Sequence, residues 1–125
     1  MTIDLLDSLR AFDTPTVCNA LELVDPGRRG TGFSTRPFVC AFPSMPPIVG
    51  FARTGTIRAA SAPMTPPGEL KALRLAYYEY VAATAGPTIT VLQDLDPEPG
   101  FGAFWGEVNS AVHKGLGCQG CVTSG

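Results

Sequence analysis

The chain has 125 residues, 45% of them hydrophobic and 16% charged, with a formal net charge of −2, which describes one small globular unit or part of one and excludes a disordered segment. Its Lys and Arg are scattered without a run, so no basic stripe exists to neutralise a phosphate backbone, and nucleic acid is set aside as a direct ligand. No apolar run approaches the roughly 18 residues a membrane helix needs, and Met1–Arg10 carries Asp4 and Asp7 where an export signal would be positive; no membrane partner and a cytoplasmic location are expected.

Asp4 to Phe12 reads as a short helix with Leu5, Leu6 and Leu9 on one side. Thr14-Pro15 then offers an N-cap and a proline at the first helical position, and apolar Val17, Ala20, Leu21 and Val24 recur at three and four until Asp25-Pro26-Gly27 stops the helix. Together these form an N-terminal helical hairpin. From Arg28 to Pro47 the chain is punctuated by Pro and Gly and shows neither period, so it reads as a connection that packs through Phe33, Phe38 and Phe42. The expected organisation is therefore 1–46, helices and proline-rich connection, followed by 47–125, the first part of an α/β core.

Ile48 to Arg58 is rich in β-formers, with Gly50 and Gly55 marking a bend or a close backbone approach. Thr65-Pro66-Pro67-Gly68 introduces a helix whose stripe is Leu70, Leu73, Tyr77, Tyr80, Val81 and Thr84, ended by Gly86-Pro87. A strand from Thr88 to Leu92, an acidic turn-rich loop from Asp94 to Gly100, a helix from Phe104 to Lys114 closed by Gly115, and a strand from Gly120 to Thr123 complete a βαβ alternation. The last strand runs to Gly125 with no following helix, the pattern expected of a chain truncated inside a larger domain.

The stretch that carries chemistry is Trp105-Gly106-Glu107-Val108-Asn109, a helix start directly after the glycine loop Gly100-Phe101-Gly102. Helix starts expose unpaired backbone N–H groups and the positive end of the macrodipole, and glycine lets a carboxylate come close to them. The bland alternative is that Gly106 relieves helix packing and Glu107 favours the helix start. Cys118 and Cys121 have CxxC spacing, but one pair with no second pair and no His pair nearby is a poor zinc site, so a structural role is expected. His113 reads as a surface residue rather than a base, for want of an orienting partner. Asp94 and Asp96 read as solvated turn formers rather than carboxylates near a metal. Arg28, Arg29, Arg53 and Arg58 read as surface pairs or subunit contacts.

Gly106-Glu107 is followed by Ala111, Gly115, Gly120, Val122 and Gly125. This register resembles the family of regulator-of-ribonuclease-activity-A-like proteins and 4-hydroxy-4-methyl-2-oxoglutarate aldolases, whose hallmark runs Trp-Gly-Glu, Ala, Gly, Gly, Val, Gly and then Arg-Asp. Thr14-Pro15-Thr16-Val17, Asn19-Ala20-Leu21 and Gly86 to Val91 extend the likeness. The resemblance implies a three-layer α/β/α swivelling domain and a lyase that releases pyruvate from 4-hydroxy-4-methyl-2-oxoglutarate-like oxo-acids, or from oxaloacetate, with a divalent cation, Mg2+ or Mn2+. Gly106, Glu107, Val108 and Asn109 would bind the small oxo-acid, Glu107 would be catalytic and reach the metal through water, and no direct metal ligand would lie in this chain. The Arg-Asp pair that grips substrate and ligates metal is expected two residues beyond Gly125, so the 125-residue chain is expected to be inactive. A homotrimer or hexamer is implied as well. The alternative is a non-catalytic protein-binding regulator of the ribonuclease E type.

Overall fold

The computed structural model describes residues 3–125. The backbone forms two compact units, one reaching to Ile48 and the other Val49–Gly125. In the first, α1 (Ile3–Leu9) and α2 (Thr14–Val24) lead into a short 3-10 turn, Pro26–Arg28. The cap of α2 is Asp13 rather than Thr14: its Oδ1 accepts from the Thr16 amide at 2.9 Å, and Thr14 is already helical. Asp outcompetes Thr here because its carboxylate makes a charge-assisted bond at the positive helix end. Arg28 pairs with Asp25 and Arg29 with Glu22, as surface ion pairs. The connection that follows does not bury its aromatics: Phe33, Phe38 and Phe42 are exposed.

The second unit is mixed α/β. Strands β1 (Phe51–Ile57), β2 (Thr88–Asp94) and β3 (Cys118–Thr123) form a parallel sheet in that order, joined by α3 (Pro67–Ala82) and α4 (Glu107–Gly115). Crossovers between parallel strands are right-handed as a rule, which puts successive helices on one face when the strands step the same way; Tyr77 and Tyr78 of α3 accordingly meet His113 and Asn109 of α4. Strand parity then decides burial: Thr88, Thr90, Leu92 and Asp94 are buried on the helix side, while Ile89, Val91 and Gln93 on the other side stay more open. The core of this unit centres on Val81, Leu92 and Cys118 with the polar Thr88, Thr90 and His113.

Gly50, just before β1, and Gly55 within it both mark close approach. A Cβ on Gly50 would meet the Pro87 carbonyl oxygen at 2.8 Å, and one on Gly55 would meet Leu92 Cδ2 at 3.0 Å and the Tyr77 ring at 3.5 Å. Gly55 thus leaves room for Tyr77 to lie on the sheet.

The helical stripe of α3 is only partly core. Val81 is fully buried, but Leu73 and Tyr80 are exposed. Tyr80 instead carries the Arg53 guanidinium over its ring at 3.9 Å, and its carbonyl accepts from Arg53 Nε at 2.9 Å. Among the described residues neither Arg53 nor Arg58 forms an ion pair; Arg58 donates to the Leu95 carbonyl at 3.1 Å. Helix α4 starts at Glu107, not Phe104, and runs through Gly115; the left-handed residue that ends it is Gly117, with φ +84°. Strand β3 likewise begins two residues earlier than the glycine of its sequence pattern, at Cys118.

Candidate functional site

The start of α4 is built from the loop that precedes it. Gly106 is the N-cap residue, extended at φ −153° and ψ −170°, with no side chain to cap the first turn. The amides of Glu107, Val108 and Asn109 therefore lack intrahelical acceptors, as at any helix start. Nothing lies within 4 Å of where a Cβ on Gly106 would sit. That finding removes the packing explanation for this glycine, because neither its conformation nor any neighbour demands it. Glu107 and Val108 are exposed, and among the described residues no hydrogen bond or ion pair engages the Glu107 carboxylate.

Asn109 is engaged twice. Its Oδ1 accepts from Tyr78 Oη at 3.0 Å and its Nδ2 donates to the Phe104 carbonyl at 2.6 Å, which fastens the first turn to α3 and to the loop. One turn later, His113 is buried at 2% exposure, contrary to the surface position its sequence context suggests. Helix α4 turns it inward between Tyr77, Tyr78, Phe104 and Trp105, whose rings all lie within 6.0 Å of the imidazole centroid. It does have orienting partners. Nδ1 lies 2.6 Å from the Asn109 carbonyl, which can only accept, so Nδ1 carries a proton; Nε2 lies 2.8 Å from Tyr77 Oη. Burial pushes the Tyr77 phenol above its ordinary range, partly offset by a hydrogen bond with Thr90, so the proton stays on Tyr77.

Alongside α4 runs a cleft of about 340 Å³ whose walls include Trp105, Ser110, His113, Lys114, Cys118 and Cys121. Trp105 Nε1 is buried without a hydrogen-bond partner, an unusual cost for a polar group. All four cysteines are free thiols.

The two aspartates of the acidic loop are not solvated, although its other residues are exposed. Asp94 and Asp96 are buried, each holding two backbone amides: Asp94 accepts from Gly100 and Asp96 at 2.8 and 2.9 Å, and Asp96 accepts from Ala59 and Ala60 at 2.8 and 2.7 Å. These bonds tie the β2–α4 loop to the chain after β1 and so set where the α4 start stands. The amides of Gly100 and then Asp96 hold the Asp94 carboxyl below its ordinary range. A depressed folded value adds stability that is complete above the unfolded value of about 3.9 and is lost as pH falls through the lower folded value. Melting temperature followed from about pH 5 to pH 2 should therefore fall more steeply for the parent than for Asp94→Asn. Equal slopes would show that Asp94 is no determinant of acid stability.

Among the described residues no group of three or more His, Cys, Asp or Glu could hold a metal ion, and no helix is long and apolar enough to cross a membrane. Compared with family models, curated proteins and solved structures, the chain finds no match in any of the three.

Proposed function

We propose that the chain supplies the carboxylate-binding half of a carbon–carbon lyase that releases pyruvate from a 4-hydroxy-4-methyl-2-oxoglutarate-like oxo-acid. The observation that carries this reading is Gly106: a glycine at a helix start that neither backbone conformation nor packing requires. Space kept clear over unpaired amides suits a planar carboxylate, which the amides and the macrodipole both favour. Glu107 stands free at the same edge. The described residues form no cation site by themselves, so no step of this chain is routed through the divalent cation; its ligand and the substrate-gripping arginine belong to the Arg-Asp pair of the resemblance. When bound, such a cation supplies positive charge beside the enolate oxygen left by carbon–carbon cleavage. The same reading makes the sheet part of a three-layer swivelling domain, with a further helical layer over Ala52, Val91 and Val122, and makes the assembly a trimer or hexamer.

Binding is testable on the 125-residue chain with oxalate, a planar mimic of the pyruvate enolate. Oxalate should shift the amide resonances of Glu107, Val108 and Asn109. Gly106→Ser should abolish those shifts while raising helix stability by a few tenths of a kcal/mol, because the new hydroxyl caps the same amides. Shifts that persist unchanged in Gly106→Ser would remove the basis of the reading.

A second reading, a protein-binding regulator of the ribonuclease E type, is favoured by the exposed Phe33, Phe38 and Phe42 of the first unit. Retention of the chain on immobilised ribonuclease E, lost when these three become serine, would support it.

A further inference from the structure

Cys118 and Cys121 sit three apart on a strand, a spacing that alternation would send to opposite faces. The pairing of β2 with β3 breaks that rule. Thr88 faces Cys118 but Ile89 faces Gly120, so Gln119 is an extra residue in a bulge, and Thr90 faces Cys121. The two cysteines therefore share the helix side of the sheet with Thr88 and Thr90, and both line the cleft beside α4. Cys118 Sγ lies 3.2 Å from Thr90 Oγ1, the hydroxyl of the row occupied by Cys121, and donates to the Gly120 carbonyl at 3.1 Å, a weak bond that deprotonation by a metal would replace.

We propose that Cys118 and Cys121 form a two-coordinate site for a soft monovalent cation, copper(I). Both are free thiols. Adjacent same-face rows stand about 6.6 Å apart at roughly 3.3 Å per residue, at the upper edge of the roughly 4.4–6.8 Å that a disulfide spans between Cα atoms. An ion held at about 2.3 Å from each sulfur, as in thiolate–metal bonds, needs the sulfurs only about 4.5 Å apart, within reach of side-chain tilting. Ligand count decides against zinc, which wants four ligands. His113 lines the same cleft, but both of its nitrogens are engaged, and no third thiol or carboxylate completes a group among the described residues. Two soft thiolates and nothing harder select copper(I). Lys114 on the cleft wall offsets the single negative charge of the dithiolate complex. The reaction is ligand exchange: two thiol protons leave to solvent, two sulfur–copper bonds form, and the ion remains monovalent.

The test uses the full chain with Cys18→Ser and Cys40→Ser, titrated anaerobically with copper(I) in acetonitrile against a chromogenic copper(I) chelator. One ion per chain is expected, with affinity rising about 100-fold per pH unit below the thiol range, since two protons are released per ion. Cys118→Ser and Cys121→Ser should each lower affinity at least about 100-fold, and zinc should not displace copper. Cys121 is exposed, so Cys121→Ser folds even if the buried Cys118→Ser does not. Unchanged affinity in Cys121→Ser, a pH slope of tenfold, or zinc binding of equal strength would each overturn the assignment. The oxalate test has no bearing on this outcome, because Gly106 takes no part in it.

Discussion

His113→Ala should cost the second unit about 3–5 kcal/mol, the range for deleting a large buried ring. Three losses add. The ring contacts with Tyr77, Tyr78, Phe104 and Trp105 disappear, leaving a void that close packing around two helices cannot fully collapse. Tyr77 Oη loses its partner, and the Asn109 carbonyl loses a donor beyond its place in the helix. A domain of this size has only about 5–15 kcal/mol in total, so much of the population should be unfolded near physiological temperature. His113→Phe separates the terms: it keeps the aromatic volume and removes only the two hydrogen bonds of the imidazole, at about 0.5–1.5 kcal/mol each. Urea unfolding with an unchanged slope measures both. An unfolding free energy for His113→Ala within about 1 kcal/mol of the parent would mean that the aromatic box is not the core that joins α3 to α4.

Gly50→Ala is expected to cost about 2–3 kcal/mol, in the range of overpacked cores. The new methyl would meet three backbone atoms, the Pro87 carbonyl oxygen and carbon and the Thr88 carbonyl carbon, at 2.8 to 3.1 Å. Backbone cannot rotate aside as a side chain can. The adjacent Phe51 amide bonds that same Pro87 carbonyl at 2.9 Å, so relief must part β1 from β2 where their pairing begins. Gly68→Ala is the matched control, since it lies in α3 with nothing within 4 Å of its Cβ, and alanine there should be neutral or stabilising by about 0.5–1 kcal/mol. Thermal unfolding of the two variants side by side checks the pair; equal midpoints would show that β1 and β2 are not so closely apposed at Gly50.

The alternation of strand and helix from residue 48 onward was legible because it is local. Hydrophobic runs, Gly86-Pro87 and the proline-rich entry to α3 act within a few residues, and each element lies where those signals place it, with ends displaced by two or three residues. The helix start at Gly106 was legible for the same reason, since glycine and acid at a first turn are sequence facts. Its openness was not. Whether a glycine is demanded by packing depends on what else comes near, and nothing comes near Gly106 while the Pro87–Thr88 backbone crowds Gly50.

The sequence by itself determined the element order, the absence of a basic stripe and the helix start with its glycine and acid. Only the tertiary structure decided which polar groups are buried and which sulfurs share a face. His113 is a core residue because the fold brings α4 to tyrosines of α3 that are 36 and 35 residues away in the chain. Asp94 and Asp96 are buried because two loops from different crossovers meet and their amides need acceptors. Cys118 and Cys121 face one cleft because a bulge at Gln119 resets the parity of β3 against β2. A bulge is a property of two paired strands, and one strand read alone carries no sign of it.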